Sequence, residues 1–246
     1  HKWSRKGLIR YIVNSSTYRQ VSEHRPELFE KDPQNRLLYR QNRFRVEAEI
    51  IRDISLDAAG LLSRKQGGPC VYPPLPNGVT NLSYANSFKW SESKGADRYR
   101  RGLYTFFKRT SPHPNLLSFD CPDSNVTCVE RRISNTPLAA LVTLNNQVFV
   151  EAAQGLARRM LELKGTDRDR LAGGFRVCVS RHPTDSELNE LKKLLAESRS
   201  WYQANENEAK NLIGGLSAQG VATVENAAWV VAARVLLNLD EFLTRD

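Results

Sequence analysis

The chain has 246 residues, of which 40% are hydrophobic and 26% are charged, including four Trp, eight Tyr and nine Phe. This composition excludes an intrinsically disordered chain and suits one large globular domain or two small ones. The formal net charge of +9 favours anionic partners such as acidic glycans, nucleic acid or a haem propionate.

Two helices are predicted in the first quarter of the chain. The first covers about residues 4–13, where apolar side chains from Leu8 to Val13 follow a helical spacing. The chain opens at His1, without an initiator Met or a signal peptide, so we expect the natural protein to continue further at its N-terminus. The second predicted helix covers about residues 43–62, before a Gly-Gly-Pro sequence.

The middle of the chain, from residue 66 to residue 135, has a different character. Seven prolines exclude long regular helices there. One run, GLYTFFK at 102–108, suits either a short strand or a helical turn. We expect this segment to wrap the helices as ordered irregular structure, which is where binding sites tend to lie.

The remainder is predicted to be helical. Asn135 or Thr136 can cap a helix that begins with Pro137 and runs to about residue 163. The later helices are expected at 167–180, at 184–204 after a capping box, and at 223–242. The predicted fold class is mainly α, a helical bundle with a long Pro-rich irregular middle segment and a short strand pair. We expect one mainly helical domain over 1–246, or alternatively a division into 1–135 and 136–246.

Two carboxylates are the candidate catalytic groups. Glu49 and Asp53 lie four residues apart on one predicted helical face, with Arg52 beside them. Such a pair can divide general acid and base roles, or bind a hard cation such as Ca²⁺. More often it receives arginines, and we favour that reading. No metal ligand is assigned, because the four His and four Cys are scattered.

Basic residues are concentrated in the middle segment. The candidates for anion binding are Arg100, Arg101, Lys108, Arg109, Arg131 and Arg132. The first four alternate with aromatic residues, a pattern that suits a stacked sugar or single-stranded nucleic acid. The favoured alternative is a packed segment whose charged groups reach solvent or the chain's own carboxylates.

The cysteines carry no haem or zinc motif, because neither CxxCH nor CxxC occurs. Cys121 and Cys128 are candidates for a disulfide in an oxidising compartment, with free thiols as the alternative. The sequence also lacks GxSxG, HExxH, Walker and GxGxxG motifs, so it leaves open whether the chain is an enzyme.

Six collinear segments carry a resemblance to a known family: LIRYIVNSSTYRQ (8–20), DPQNRLLYRQNRFRVEAEIIRD (32–53), GGPCVYPP (67–74), RRGLYTFFKRTSPHPNLLSFDCPD (100–123), CVERRISNTPLAALVTLNN (128–146) and LLNLDEFLTRD (236–246). They resemble the planctomycete-specific C-terminal domain family of unknown function. The family has no established activity, so the resemblance implies no catalytic residue. Cys121 stands where the family pattern has a small residue, and the resemblance therefore does not support the Cys121–Cys128 disulfide.

The resemblance implies an accessory or structural domain of an exported, periplasmic or secreted, multidomain protein. Its partners would be other domains of that protein, above all a cytochrome-c-like domain active in electron transfer. Haem c would be bound in the missing N-terminal part, and no cofactor is expected in this segment.

The alternative function is an enzyme or binding module for acidic, sulfated polysaccharide. Glu49 and Asp53 would supply acid–base chemistry, and the arginine cluster would hold sulfate or carboxylate groups. Nucleic acid is the least favoured partner, because only the net positive charge supports it. No membrane span is expected, since no stretch approaches the about 20 apolar residues that one requires.

Overall fold

The computed structural model describes residues 3–76 and 89–245, and the chain divides into two compact units. One unit comprises His1–Arg45 with Thr244–Asp246, and the other comprises Val46–Leu243. The expectation of a single domain, or of a division after residue 135, stays a prediction. Among the described residues, no helix is long and apolar enough to cross a membrane.

The smaller unit contains two helices and a two-stranded sheet. Helix α1, Arg5–Val13, begins where the Ser4 hydroxyl accepts a hydrogen bond from the Gly7 amide at 3.2 Å, as the predicted N-terminus requires. None of its residues is buried. Helix α2 is Pro26–Phe29. Strand β1, Phe44–Arg45, pairs antiparallel with β2, Thr244–Arg245, which confirms the predicted strand pair.

The larger unit is built from helices. Their bounds are α3 Ala48–Ala58, α4 Pro114–Ser118, α5 Pro137–Asn145, α6 Gln147–Glu162, α7 Asp167–Val179, α8 Asp185–Ala204, α9 Glu206–Ile213, α10 Thr223–Leu237 and α11 Asp240–Leu243. Short 3-10 turns at Gly95–Tyr99 and Gly102–Tyr104 interrupt the irregular middle segment. The mainly α class is confirmed.

Helices α6 and α10 form the centre of this unit. The two helices pack against each other, both carry buried alanines, and Trp229 of α10 is fully buried. Small side chains allow two helices to approach closely, and the Trp then fills the space that remains. Helices α3, α7 and α8 pack around this pair and position the candidate site on α3.

Three predicted helix bounds were wrong. The helix predicted at 43–62 is shorter in the structure, where α3 covers Ala48–Ala58, because Phe44 and Arg45 pair as a strand. The helix predicted at 137–163 is two helices, since Asn146 is extended (ψ 138°) and caps α6 by accepting from the Val148 amide at 3.1 Å. The last predicted helix ends at Leu237, and α11 follows after a break at Asn238.

Candidate functional site

Asp53, one of the two candidate catalytic carboxylates, is buried against the middle segment. It lies on α3 and is 8% exposed. Its Oδ2 accepts a hydrogen bond from Arg101 Nε at 3.0 Å, and its Oδ1 accepts one from the Gly102 amide at 2.6 Å. Both oxygens are therefore used to hold the 3-10 turn of the middle segment against α3.

Gly102 makes this approach feasible. A Cβ atom at this position would lie 2.6 Å from the backbone oxygen of Glu49, which is closer than van der Waals contact. The turn can therefore reach the Asp53 carboxylate only because residue 102 has no side chain. The run that begins at Gly102 suited either a strand or a helical turn by its sequence, and in the structure it begins with a 3-10 turn.

Glu49, the second candidate, is also paired. Its Oε2 accepts from Arg131 Nη1 at 2.9 Å, and its Oε1 accepts from Arg131 Nη2 at 3.3 Å. The Glu49 side chain is 23% exposed and the Asp53 side chain 11%, so solvent screens the carboxylate of the Glu49–Arg131 pair more than that of the Asp53–Arg101 pair. The Cys121 thiol lies 4.0 Å from Glu49 Oε1, and burial together with this carboxylate raises the thiol pKa.

Arg52, between the two carboxylates, is buried and directed away from solvent. Its Nη2 donates to the Arg98 carbonyl at 2.7 Å, and burial lowers its pKa to about 10. Arg98 in turn forms ion pairs with Glu92 at 2.8 Å and with Glu151 at 2.5 Å. This chain of contacts links α3, the middle segment and α6.

Arg100 is 1% exposed. Its guanidinium donates to the Pro69 and Gly67 carbonyls at 3.0 and 2.5 Å, and it stacks 3.8 Å from the Tyr104 ring centroid. The Tyr104 hydroxyl accepts from the Gly67 amide at 2.9 Å. An external anion cannot reach this predicted anion-binding residue without opening the segment.

The other anion-binding candidates differ in exposure. Arg101 is engaged by Asp53, Lys108 is half-buried, and Arg109 and Arg132 are exposed. Arg131 and Arg132 line an open cavity of about 1080 Å³, which is formed by residues 120–123 and 126–133. The structure thus does not bring the six basic residues to one place.

Cys121 and Cys128 line the same cavity, and both are free thiols in the structure, as are Cys70 and Cys178. The Cys121–Cys128 disulfide stays a prediction. Within residues 3–76 and 89–245, no three His, Cys, Asp or Glu side chains cluster as a metal ion would require.

His113 is a buried residue to which the sequence assigned no role. Its Nδ1 accepts from the Asn115 amide at 3.2 Å, so Nε2 carries the proton and contacts the Pro74 carbonyl at 3.2 Å. Burial lowers its pKa to about 4, and the imidazole is neutral at pH 7. It caps the start of α4 and fastens a proline of the middle segment to it.

The sequence did not predict two arginines among the C-terminal helices that each form ion pairs with two carboxylates. Arg181, after α7, forms ion pairs with Glu187 of α8 at 2.7 Å and with Glu241 of α11 at 2.6 Å. Arg199 joins Asp167 and Glu225 at 2.7 and 2.5 Å. The only local signal was Glu187, which also completes the capping box with Thr184. The remaining partners are far apart in sequence.

The comparisons with known proteins give a family and no activity. Residues 1–195, well over half of the chain, match the model of a family described as PSD1: Protein of unknown function (DUF1553). No curated protein and no solved structure matches the chain.

Proposed function

The chain belongs to the PSD1 family of proteins of unknown function (DUF1553), and we propose that it acts as an accessory, non-catalytic domain of an exported multidomain protein. One observation carries this proposal: arginines of the chain itself already occupy both candidate catalytic carboxylates. A general acid or base must come within hydrogen-bond distance of the substrate proton. Asp53 is buried under Arg101 and Gly102, and Glu49 is bound through both oxygens by Arg131.

The accessory role is docking to a neighbouring domain through the exposed segment 126–141. Five apolar side chains are exposed there: Val126, Val129, Ile133, Leu138 and Leu141. Val129 is the extreme case at 98% exposure, and Arg131 and Arg132 lie beside it. Apolar side chains next to arginines are typical of protein interfaces. The basic charge suits an acidic partner, which the family resemblance suggests to be a cytochrome-c-like haem domain.

Binding to that haem domain tests the proposal. The wild-type chain is expected to bind the cytochrome-c-like domain of the same polypeptide, and Val129→Asp is expected to weaken binding at least tenfold, because it places a charge in the interface. Leu103→Asp is the matched control, since Leu103 is also exposed but lies outside segment 126–141. Absence of wild-type binding, or equal loss in both variants, would overturn the docking surface.

A second candidate function is binding of acidic polysaccharide. The open cavity that Arg131 and Arg132 line favours it, because sulfate and carboxylate groups bind arginine well. Heparin and alginate are suitable probes, with Arg132→Gln against Lys193→Gln as the charge-matched control. Release of new reducing ends that disappears in Glu49→Gln would instead favour an enzyme and reject the non-catalytic proposal.

The proposed exported location leads to a prediction about the thiols of Cys121 and Cys128. In an oxidising compartment, Cys121 and Cys128 are expected to form their disulfide. Mass spectrometry of alkylated protein from its native host distinguishes the two states. A fully reduced pair would count against both the disulfide and the exported location.

A further inference from the structure

A second cavity, of about 310 Å³, lies between helices α6 and α7. Its accessible apolar wall is formed by Leu163, at the end of α6, and Val177 of α7, with the buried side chains of Leu156 and Met160 beneath them. Two arginines, Arg159 and Arg176, line it as well, and both are exposed. The cavity therefore combines an apolar interior with two cationic groups that reach solvent.

Two glycines of α7 shape this cavity. A Cβ at Gly174 would lie 2.2 Å from Met160 Sδ, and one at Gly173 would lie 2.5 Å from Leu163 Cδ1. Without side chains at these two positions, α7 can lie close to α6, but it contributes nothing to fill the adjacent space. The opening is therefore a consequence of the helix packing in the core and does not depend on a surface loop.

Among the described residues, neither of these two arginines forms an ion pair with a carboxylate. Arg159 donates through Nη1 to the Ala58 carbonyl at 3.0 Å, and its remaining donors are free to bind a ligand. Cys178 follows on α7, but burial raises its pKa to about 12, so it is a neutral thiol and adds no negative charge. Neither arginine at the cavity mouth is therefore paired with a carboxylate of the described residues.

We infer that this cavity binds a small amphipathic carboxylate, with its apolar tail against Leu163 and Val177 and its carboxylate at Arg159 and Arg176. Arginine presents a planar set of donors that matches a carboxylate. The volume lies at the lower end of the roughly 300–1,000 Å³ of ligand pockets and is about twice that of an apolar cavity that holds benzene. An acid of about six to ten carbon atoms fits this size.

Calorimetric titration with octanoate tests the inference. Saturable binding at one site is expected, with much weaker binding of acetate, which lacks the tail, and of octylamine, which carries the opposite charge. Arg176→Gln is expected to weaken octanoate binding about tenfold or more, because a charged hydrogen bond is lost. Arg176→Lys keeps the charge but not the planar donors, so its affinity for octanoate should lie between those of the wild type and Arg176→Gln.

Two further variants separate this site from non-specific effects. Lys193→Gln removes one positive charge from α8, outside the cavity, and should leave octanoate binding unchanged. Val177→Phe keeps both arginines but fills the cavity, so it should abolish binding while circular dichroism shows a folded protein. Wild-type affinity in both Arg176→Gln and Val177→Phe would overturn the inference. Equal binding of octylamine, or no saturable octanoate binding by the wild-type chain, would overturn it as well.

Discussion

Two arginine networks of this protein solve different structural problems. In the middle segment, Arg100 is 1% exposed and binds backbone carbonyls of Pro69 and Gly67. Among the C-terminal helices, the Arg181 side chain is 41% exposed and binds two carboxylates. The irregular segment lacks the regular hydrogen bonds that would satisfy its carbonyls, so a buried arginine satisfies them. The helices already satisfy their own backbone, and Arg181 only joins their ends.

The difference in burial predicts a difference in energetic weight. A buried polar group that loses its partner costs the full desolvation penalty, whereas solvent can replace the partner of an exposed charge. Removal of the arginine should therefore cost much more free energy of unfolding in the middle segment than at the helix ends.

Arg100→Ala is expected to have the largest effect. It leaves the Pro69, Gly67 and Lys65 carbonyls without their donor and opens a void beside Tyr104. The free energy of unfolding should fall by about 3 kcal/mol or more, measured by urea denaturation. Arg109→Ala is the control, since Arg109 is exposed and its loss should cost at most about 0.5 kcal/mol. Similar costs for both would remove the distinction between the networks.

Gly102→Ala should have an intermediate effect. The added Cβ would lie 2.6 Å from the Glu49 backbone oxygen, so the turn must move away from Asp53. We expect a loss of about 1–3 kcal/mol, the usual cost of overpacking. Gly215→Ala is the matched control, because nothing lies within 4 Å of a Cβ there. A tolerated Gly102→Ala would show that the close approach of the turn to α3 is not required.

The helix-end network should give the smallest effect, and one that depends on pH. The hydrogen bonds from Arg181 lower the pKa of Glu187 to about 2, from an ordinary value of 4.5. Because the folded-state pKa is the lower one, its contribution is complete above about pH 4.5 and is lost as the pH falls towards 2. Solvent screening limits it to about 1 kcal/mol.

Melting temperatures of the wild type and Glu187→Gln, measured from pH 7 to pH 2, check this contribution. Gln retains the capping box with Thr184 but not the charge that binds Arg181. The two curves should differ by about 2–4 °C at pH 7 and converge as the pH approaches 2. Both proteins contain His113, whose lowered pKa affects them equally, so the difference isolates Glu187. A constant difference across the pH range would contradict an ionic contribution.

Local sequence patterns predicted the features that depend on neighbouring residues. The Thr136 cap before Pro137 and the Thr184–Glu187 capping box were both confirmed, since donor and acceptor lie within four residues. The break at Asn146 was missed because neither Gly nor Pro marks it. An Asn can continue a helix or cap the next one, and the packing of α5 and α6 determines which occurs.

In the candidate site, too, the sequence predicted local features but not contacts between distant residues. The sequence placed Glu49, Arg52 and Asp53 together on α3, and it favoured arginine partners for the carboxylates. It could not identify those partners, because Arg101 and Arg131 lie 48 and 82 residues away from Asp53 and Glu49. Nor could it separate the buried Arg100 from the exposed Arg109, since both belong to one basic run.

The sequence by itself determined the mainly α class, the capped starts of α5 and α8, the irregular middle segment and the residues available for ion pairs. These follow from periodicity, capping and proline chemistry, which act over a few residues. Only the tertiary structure decided which arginine meets which acceptor, that Gly102 must lack a side chain, and that Arg159 and Arg176 share one cavity. Those properties depend on burial and on distances between residues far apart in the chain, which no local pattern records.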